Sequence, residues 1–140
     1  MPKKRILIVE DNTDTINVYS YALRFYGYDT IVAENGIDAV NLAKAEVPDL
    51  IIMDVMLPEI DGLEATAQIR KDLNTKAIPI IAVTAMARPS DRAECLNAGC
   101  DEYLAKPFTY KDLTDRIDKL LRKQVDDDSR TDNASALLGE

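Results

Sequence analysis

Histidine is absent from the 140 residues, and only two are cysteine. Without histidine there is no Ser–His or Cys–His nucleophile pair and no imidazole general base. The chain also has no histidine of its own from which to donate phosphate. Cys95 and Cys100 stand five apart with no histidine to complete a zinc site. A disulfide framework is not expected in a chain large enough to bury a core, so they read as two reduced, small apolar residues. No apolar run approaches the roughly 18 residues that span a bilayer. The basic start, Met1-Pro2-Lys3-Lys4-Arg5, runs straight into a β-like segment with no apolar h-region or cleavage site, so no secretory signal and no membrane contact are expected, and the expected location is the cytoplasm. A basic surface is missing too: the net charge is −8, which argues against direct DNA binding. Half of that charge falls after residue 123, where five acids (Asp126, Asp127, Asp128, Asp132 and Glu140) face a single base, Arg130.

What is present fits one globular domain: 46% hydrophobic and 30% charged residues in a length that suits one core and not two. Short apolar runs alternate with helical patterns. Ile6-Leu7-Ile8-Val9 is a β-branched run bounded by charge, as expected of a strand covered on both faces. Ile16, Tyr19, Leu23 and Tyr26 then recur three and four apart, with Thr13 or Asp14 as caps and Gly27 as the stop. Tyr28 to Val32 reads as a second strand. After the turn at Asn35-Gly36, Ala39, Val40 and Ala43 mark a second helix that Pro48 ends. Leu50-Ile51-Ile52-Met53 is the most apolar strand and stops at Asp54. Past Pro58 and Gly62, the residues Thr66, Ile69 and Leu73 suggest a third helix. Ile78 to Val83 reads as a fourth strand, with Pro79 near its start. Ser90 to Ala98 reads as a fourth helix capped by Gly99, and Glu102 to Ala105 as a fifth strand. Thr109 with Asp112 resembles a capping box before the stripe Leu113, Ile117, Leu120 and Leu121. Five βα units in a row predict an α/β domain over residues 1–123, a doubly wound parallel sheet with five helices. Residues 124–140 read as an acidic, disordered tail.

In an open parallel sheet, ligands bind at the carboxyl ends of the strands. Here the first strand ends in Glu10-Asp11, the third in Asp54, the fourth in Thr84-Ala85 and the fifth near Lys106-Pro107. Three close carboxylates repel one another, and a divalent cation resolves the conflict. Mg²⁺ takes oxygen ligands, so Asp11 and Asp54 are candidate direct ligands, Glu10 a direct or water-bridged one, and the Met56 backbone carbonyl a further oxygen. Asp54 also ends a rigid apolar strand, where a carboxylate is costly unless used. A carboxylate can act as a nucleophile and carry an aspartyl phosphate. Phosphoryl transfer needs its equatorial oxygens neutralised. Mg²⁺ would take one, Lys106 a second, and the Thr84 hydroxyl with the Ala85 N–H a third. Taken singly, an acidic pair after a strand is often a solvated turn, and Thr84 or Lys106 alone would be unremarked. Their order across four strand ends is what carries the reading.

These residues stand in segments that resemble response-regulator receiver domains of the CheY-like type: ILIVEDN (6–12), LIIMDVMLPEIDG (50–62), VTA (83–85) and YLAKPF (103–108). The resemblance covers about residues 4 to 123. It implies a flavodoxin-like sheet in the order 2-1-3-4-5. It also implies a phosphorylation switch of two-component signal transduction that catalyses its own phosphorylation and dephosphorylation. Asp54 matches the phosphoacceptor, Glu10 and Asp11 the acidic pair that holds Mg²⁺, Thr84 the switch hydroxyl and Lys106 the family's lysine. Tyr103 matches the switch aromatic, though by itself it reads as a packed strand tyrosine. Pro107 matches a proline preceded by a cis bond. The phosphodonor implied is a phosphohistidine on a sensor histidine kinase or phosphotransfer protein. The output implied is a protein contact through the face of the fourth helix, fifth strand and fifth helix, by a monomer or a phosphorylation-dependent dimer. Met56, two residues past Asp54, predicts a long-lived phosphoryl group. Three other readings compete. A phosphatase with an aspartate nucleophile would want a second Asp where Met56 stands. An FMN module would not place Glu10-Asp11-Asn12 against a phosphate. A degenerate receiver used as a scaffold would have lost Asp11, Asp54, Thr84 or Lys106.

Overall fold

In a computed structural model, which describes residues 3–85 and 88–123, Arg5–Val9 forms the first strand, β1. Its neighbours are β2 (Asp29–Ala33) and β3 (Leu50–Asp54), followed by β4 (Ile80–Thr84) and β5 (Glu102–Ala105). All pairings are parallel, as the alternation of βα units predicts, and the strand order is 2-1-3-4-5, as the family resemblance implies. Four connecting helices are α1 (Thr13–Phe25), α2 (Gly36–Glu46), α3 (Gly62–Lys71) and α4 (Pro89–Ala98). A fifth, α5, covers residues 110–123. Residues 124–140, expected to form a tail, lie outside the described residues.

The continuous apolar runs are explained by cover on both faces of the sheet. Successive side chains of a strand point to opposite sides. Leu7, Val9, Ile51, Met53, Ile80 and Ala82 therefore join one core with Ala39 and Val40 of α2, Ala65 and Ile69 of α3 and Cys95 of α4. Ile6, Ile8, Leu50, Ile52, Ile81 and Val83 join a second core with Tyr19 and Leu23 of α1 and Leu113, Ile117 and Leu120 of α5. Cys95 and Cys100 are free thiols buried in the first core. Across the second, the Tyr28 hydroxyl donates to the Asp118 carboxylate and ties the start of β2 to α5.

Three local expectations are corrected. The first helix is capped by Asn12, not by Thr13 or Asp14: the Asn12 side chain accepts the Thr15 N–H at 2.9 Å, and Asn12 has the extended backbone an N-cap requires. Asn12→Ala is expected to cost about 1 kcal/mol in a denaturant melt, and Thr13→Ala measurably less. The third helix ends before Leu73, which is largely exposed beyond the cap residue Asp72. Its helical spacing from Ile69 therefore carries no burial. Tyr26 is likewise exposed: it follows the last turn of α1 and does not continue the buried stripe of Ile16, Tyr19 and Leu23. The capping box before α5 forms as read, with Asp112 N–H donating to Thr109 Oγ1 and Thr109 N–H to Asp112 Oδ2, both at 3.1 Å.

Candidate functional site

Glu10 and Asp11 follow directly on β1. The Glu10 N–H donates to the Ala33 carbonyl at 3.0 Å, so the ladder to β2 continues one residue past the strand and holds Glu10 in place. Glu10 is buried, whereas Asp11 faces solvent. Asp54 is the last residue of β3 and registers against Val83 of β4. It is buried as well. Thr84 closes β4, and the Lys106 N–H donates to its carbonyl at 2.8 Å, which ties the segment after β5 to the same edge.

This edge brings charges together that are far apart in the chain. Glu10, Asp11 and Asp54 each place a carboxylate oxygen within 4.8 Å of the others. The Lys106 ammonium stands between two of them, with Nζ 3.7 Å from Glu10 Oε2 and 3.6 Å from Asp54 Oδ2. Both separations exceed a close charge-assisted hydrogen bond, so Lys106 is shared and bound tightly to neither. The other Asp54 oxygen, Oδ1, accepts the Met56 N–H at 3.0 Å. Burial pushes the Glu10 carboxyl up to about 8. Hydrogen bonding to Asp54 and its charge act in the same direction, while Lys106 and the Asn12 N–H oppose them. A protonated or unrelieved acid in this position costs free energy that a cation would recover.

Thr84 is buried at the wall of a cavity of about 560 Å³ that Asp11 and Met56 also line, with Asp91 and Glu94 of α4 on another side. Ala85 is exposed directly after it. Tyr103 lies on β5 opposite Ala82, half-buried against the core under α2, α3 and α4. The Lys106–Pro107 bond is cis. One participant escaped sequence reasoning. A Cβ on Gly62, the first residue of α3, would stand 2.2 Å from the Asp54 carbonyl oxygen and 2.9 Å from Val55 Cα. The glycine lets the start of α3 pass against the backbone of the residue after which the strand ends. The only trace of this in the chain is the Asp-Gly pair itself.

The donor set is oxygen only, three carboxylates with one of them open to water. That chemistry fits Mg²⁺, which binds through few carboxylates and keeps several waters. Mg²⁺ at a hundredfold excess over its Kd is expected to stabilise the chain by about 2.7 kcal/mol. A thermal melt with MgCl₂ against EDTA reads this as a higher Tm, and Asp11→Asn should shrink the increment. An unchanged Tm would remove the cation site.

An open parallel sheet with buried acids and a lysine converging on one edge defines a flavodoxin-like α/β domain with a cation-binding edge. Residues 6–118 match the response regulator receiver domain, and the chain belongs to that family. It is 39% identical over 121 residues to the polar-differentiation response regulator DivK of Brucella anthropi, covering 86% of this chain and 98% of that one. It is 37% identical over 133 residues to the probable transcriptional regulator ycf27 of Porphyridium aerugineum, covering 95% of this chain but 54% of that longer protein. Among solved structures, it resembles the receiver domain of sensor histidine kinase PA1611 from Pseudomonas aeruginosa PAO1. The TM-score is 0.80 at 41% identity, over 86% of this chain and 98% of that one, and that domain holds a magnesium ion coordinated in its active site cleft. Among the described residues, no helix is long and apolar enough to cross a membrane.

Proposed function

We propose that this chain is a phosphorylation switch of two-component signalling, with residues 1–123 as the receiver and Asp54 as the phosphoacceptor. The observation that carries the reading is the placing of the Lys106 ammonium between Asp54 and Glu10, with Asp11 beside them. Glu10, Asp11, Asp54 and the Met56 carbonyl would hold Mg²⁺, which would supply charge neutralisation for a phosphoryl group. An Asp54 carboxylate oxygen attacks phosphorus in line. The new O–P bond forms as the P–N bond to a phosphohistidine breaks, and the donor imidazole leaves with the electron pair and is protonated. Lys106 receives one phosphoryl oxygen, and the Thr84 hydroxyl with the Ala85 N–H receives another. A second branch is hydrolysis: water attacks phosphorus, Asp54 leaves as carboxylate, and the water's protons pass to the released phosphate and solvent. Both reactions are ones this chain's own residues assist.

The donor is a sensor histidine kinase or a phosphotransfer protein. Thr84 moves toward the phosphoryl group and Tyr103 follows it inward, which changes the face of α4, β5 and α5 that a downstream protein reads. The acidic balance of the chain makes that readout a protein contact without direct DNA binding, in the cytoplasm. On that face the phosphorylated chain either binds its target as a monomer or pairs with itself.

Met56 is exposed at the rim and has no hydrogen-bonding group on its side chain to orient an attacking water. The phosphoryl group is therefore expected to outlast minutes without a phosphatase, and loss within seconds in a phosphate-release assay would contradict this. The test of the function itself is incubation of the native chain with phosphoramidate, read on a phosphate-affinity gel. A shifted band that appears with Mg²⁺, not with EDTA, and that hydroxylamine removes, is the expected result. No shift under conditions where another receiver shifts would overturn the proposal.

A further inference from the structure

α1 turns part of its aromatic content away from the sheet. Tyr19 and Leu23 are buried, as the inward face requires, while Tyr21 and Phe25 are 76% and 78% exposed. Val18 and Tyr26 are exposed beside them, and with Tyr110 of α5 these side chains line a shallow hollow of about 490 Å³. Single exposed apolar residues need no explanation, but a contiguous aromatic patch marks a contact surface.

The spacing says what kind of contact. Asp14, Val18, Tyr21 and Phe25 follow one another at four, three and four residues, which aligns them in one stripe along the helix, the pattern of a seam between two helices. The stripe is self-complementary when reversed. Laid antiparallel on a copy of itself, Val18 falls opposite Tyr21, and Asp14 falls opposite Phe25 with Arg24 one residue away. Asp14 and Arg24 are exposed, and among the described residues neither has an ion-pair partner. An acid at the start of the stripe and a base at its end are both neutralised by a reversed copy, whereas a parallel copy would set like charges side by side.

We propose that α1 is a self-association surface on which a second copy of this chain docks antiparallel. Tyr21 and Phe25 of each copy pack into the hollow of the other, and Asp14 pairs with Arg24 at both ends. A two-fold axis makes the same patch serve both partners. The contact is small, so the association is reversible and concentration-dependent. It touches α5 only at Tyr110, lies apart from α4 and β5, and does not require phosphate on Asp54. Val18 and Tyr110 also line the groove that reaches Lys106.

Sedimentation equilibrium on the full, unphosphorylated chain from micromolar to millimolar concentration tests this. The expected result is a monomer–dimer equilibrium. Asp14→Arg and Arg24→Asp should each weaken it roughly tenfold by placing like charges at both ends, the double variant should restore it, and Tyr21→Glu should abolish it. Circular dichroism and Mg²⁺-dependent phosphorylation by phosphoramidate, both expected to be unchanged, show that each variant is folded and separate this outcome from failure of the phosphoacceptor reading. A monomer at every concentration overturns the proposal. So does a dimer indifferent to the single reversals, or one that the double variant fails to rescue.

Discussion

Asp54→Asn is expected to abolish Mg²⁺-dependent phosphorylation completely while raising the melting temperature in EDTA. The loss follows from chemistry: an amide is no nucleophile toward phosphorus, and no other carboxylate in the cluster is the end residue of a strand. The gain follows from charge. Without metal, three carboxylates converge and Lys106 offsets one charge. Burial contributes most to the upward push on Glu10, and Asp54 adds to it through a hydrogen bond and its charge. Replacing Asp54 leaves Lys106 to Glu10 alone, and the amide oxygen can still accept the Met56 N–H. The same substitution should shrink the Tm increment that Mg²⁺ produces, because one of its oxygen donors is weakened. A gel band that persists in the variant would move the phosphoacceptor elsewhere, and a clear fall in Tm in EDTA would show that Asp54 is worth more to the fold through its hydrogen bond than it costs through repulsion.

Gly62→Ala is expected to cost about 3 kcal/mol and to slow phosphorylation along with it. The added methyl group would have to occupy space 2.2 Å from a backbone oxygen, and a backbone atom cannot rotate aside as a side chain can. Either α3 withdraws from β3 or the loop from Val55 to Asp61 shifts. The second movement would carry Met56, whose N–H sets one Asp54 oxygen. A denaturant melt and the phosphoramidate assay on one preparation separate the two. A stable variant with normal phosphorylation would show that the helix start gives way at no cost. A variant that loses stability but keeps the rate would place the shift in α3.

Much of this architecture was legible because parallel sheets impose strong patterns. The apolar runs of β1, β3 and β4 are buried on the central strands, those of β2 and β5 lie half-buried at the sheet's edges, and all pair in parallel as the βα alternation predicts. Where the reading missed, a local pattern was outbid by tertiary context. Leu73 and Tyr26 sit at helical spacing from buried residues, yet the helix ends before either reaches the sheet. Asn12 caps α1 because the strand ends three residues earlier and leaves it extended; Thr13 and Asp14, equally good capping residues by type, are already helical.

The sequence alone determined which groups stand at the strand ends, since any parallel, doubly wound sheet must send Glu10, Asp11, Asp54, Thr84 and Lys106 to one edge. It did not determine how near they come. That Lys106 lies between Glu10 and Asp54, that Gly62 is pressed against the Asp54 carbonyl, and that Tyr28 meets Asp118 across 90 residues were decided by the tertiary structure. The physical reason is that periodicity is a property of one segment, set by backbone geometry within a few residues, whereas these separations depend on the register between strands and on how the helices pack across them. The same holds for α1: its sequence supplied both Tyr19 and Tyr21, and only docking against the sheet chose which was buried and which was left facing outward.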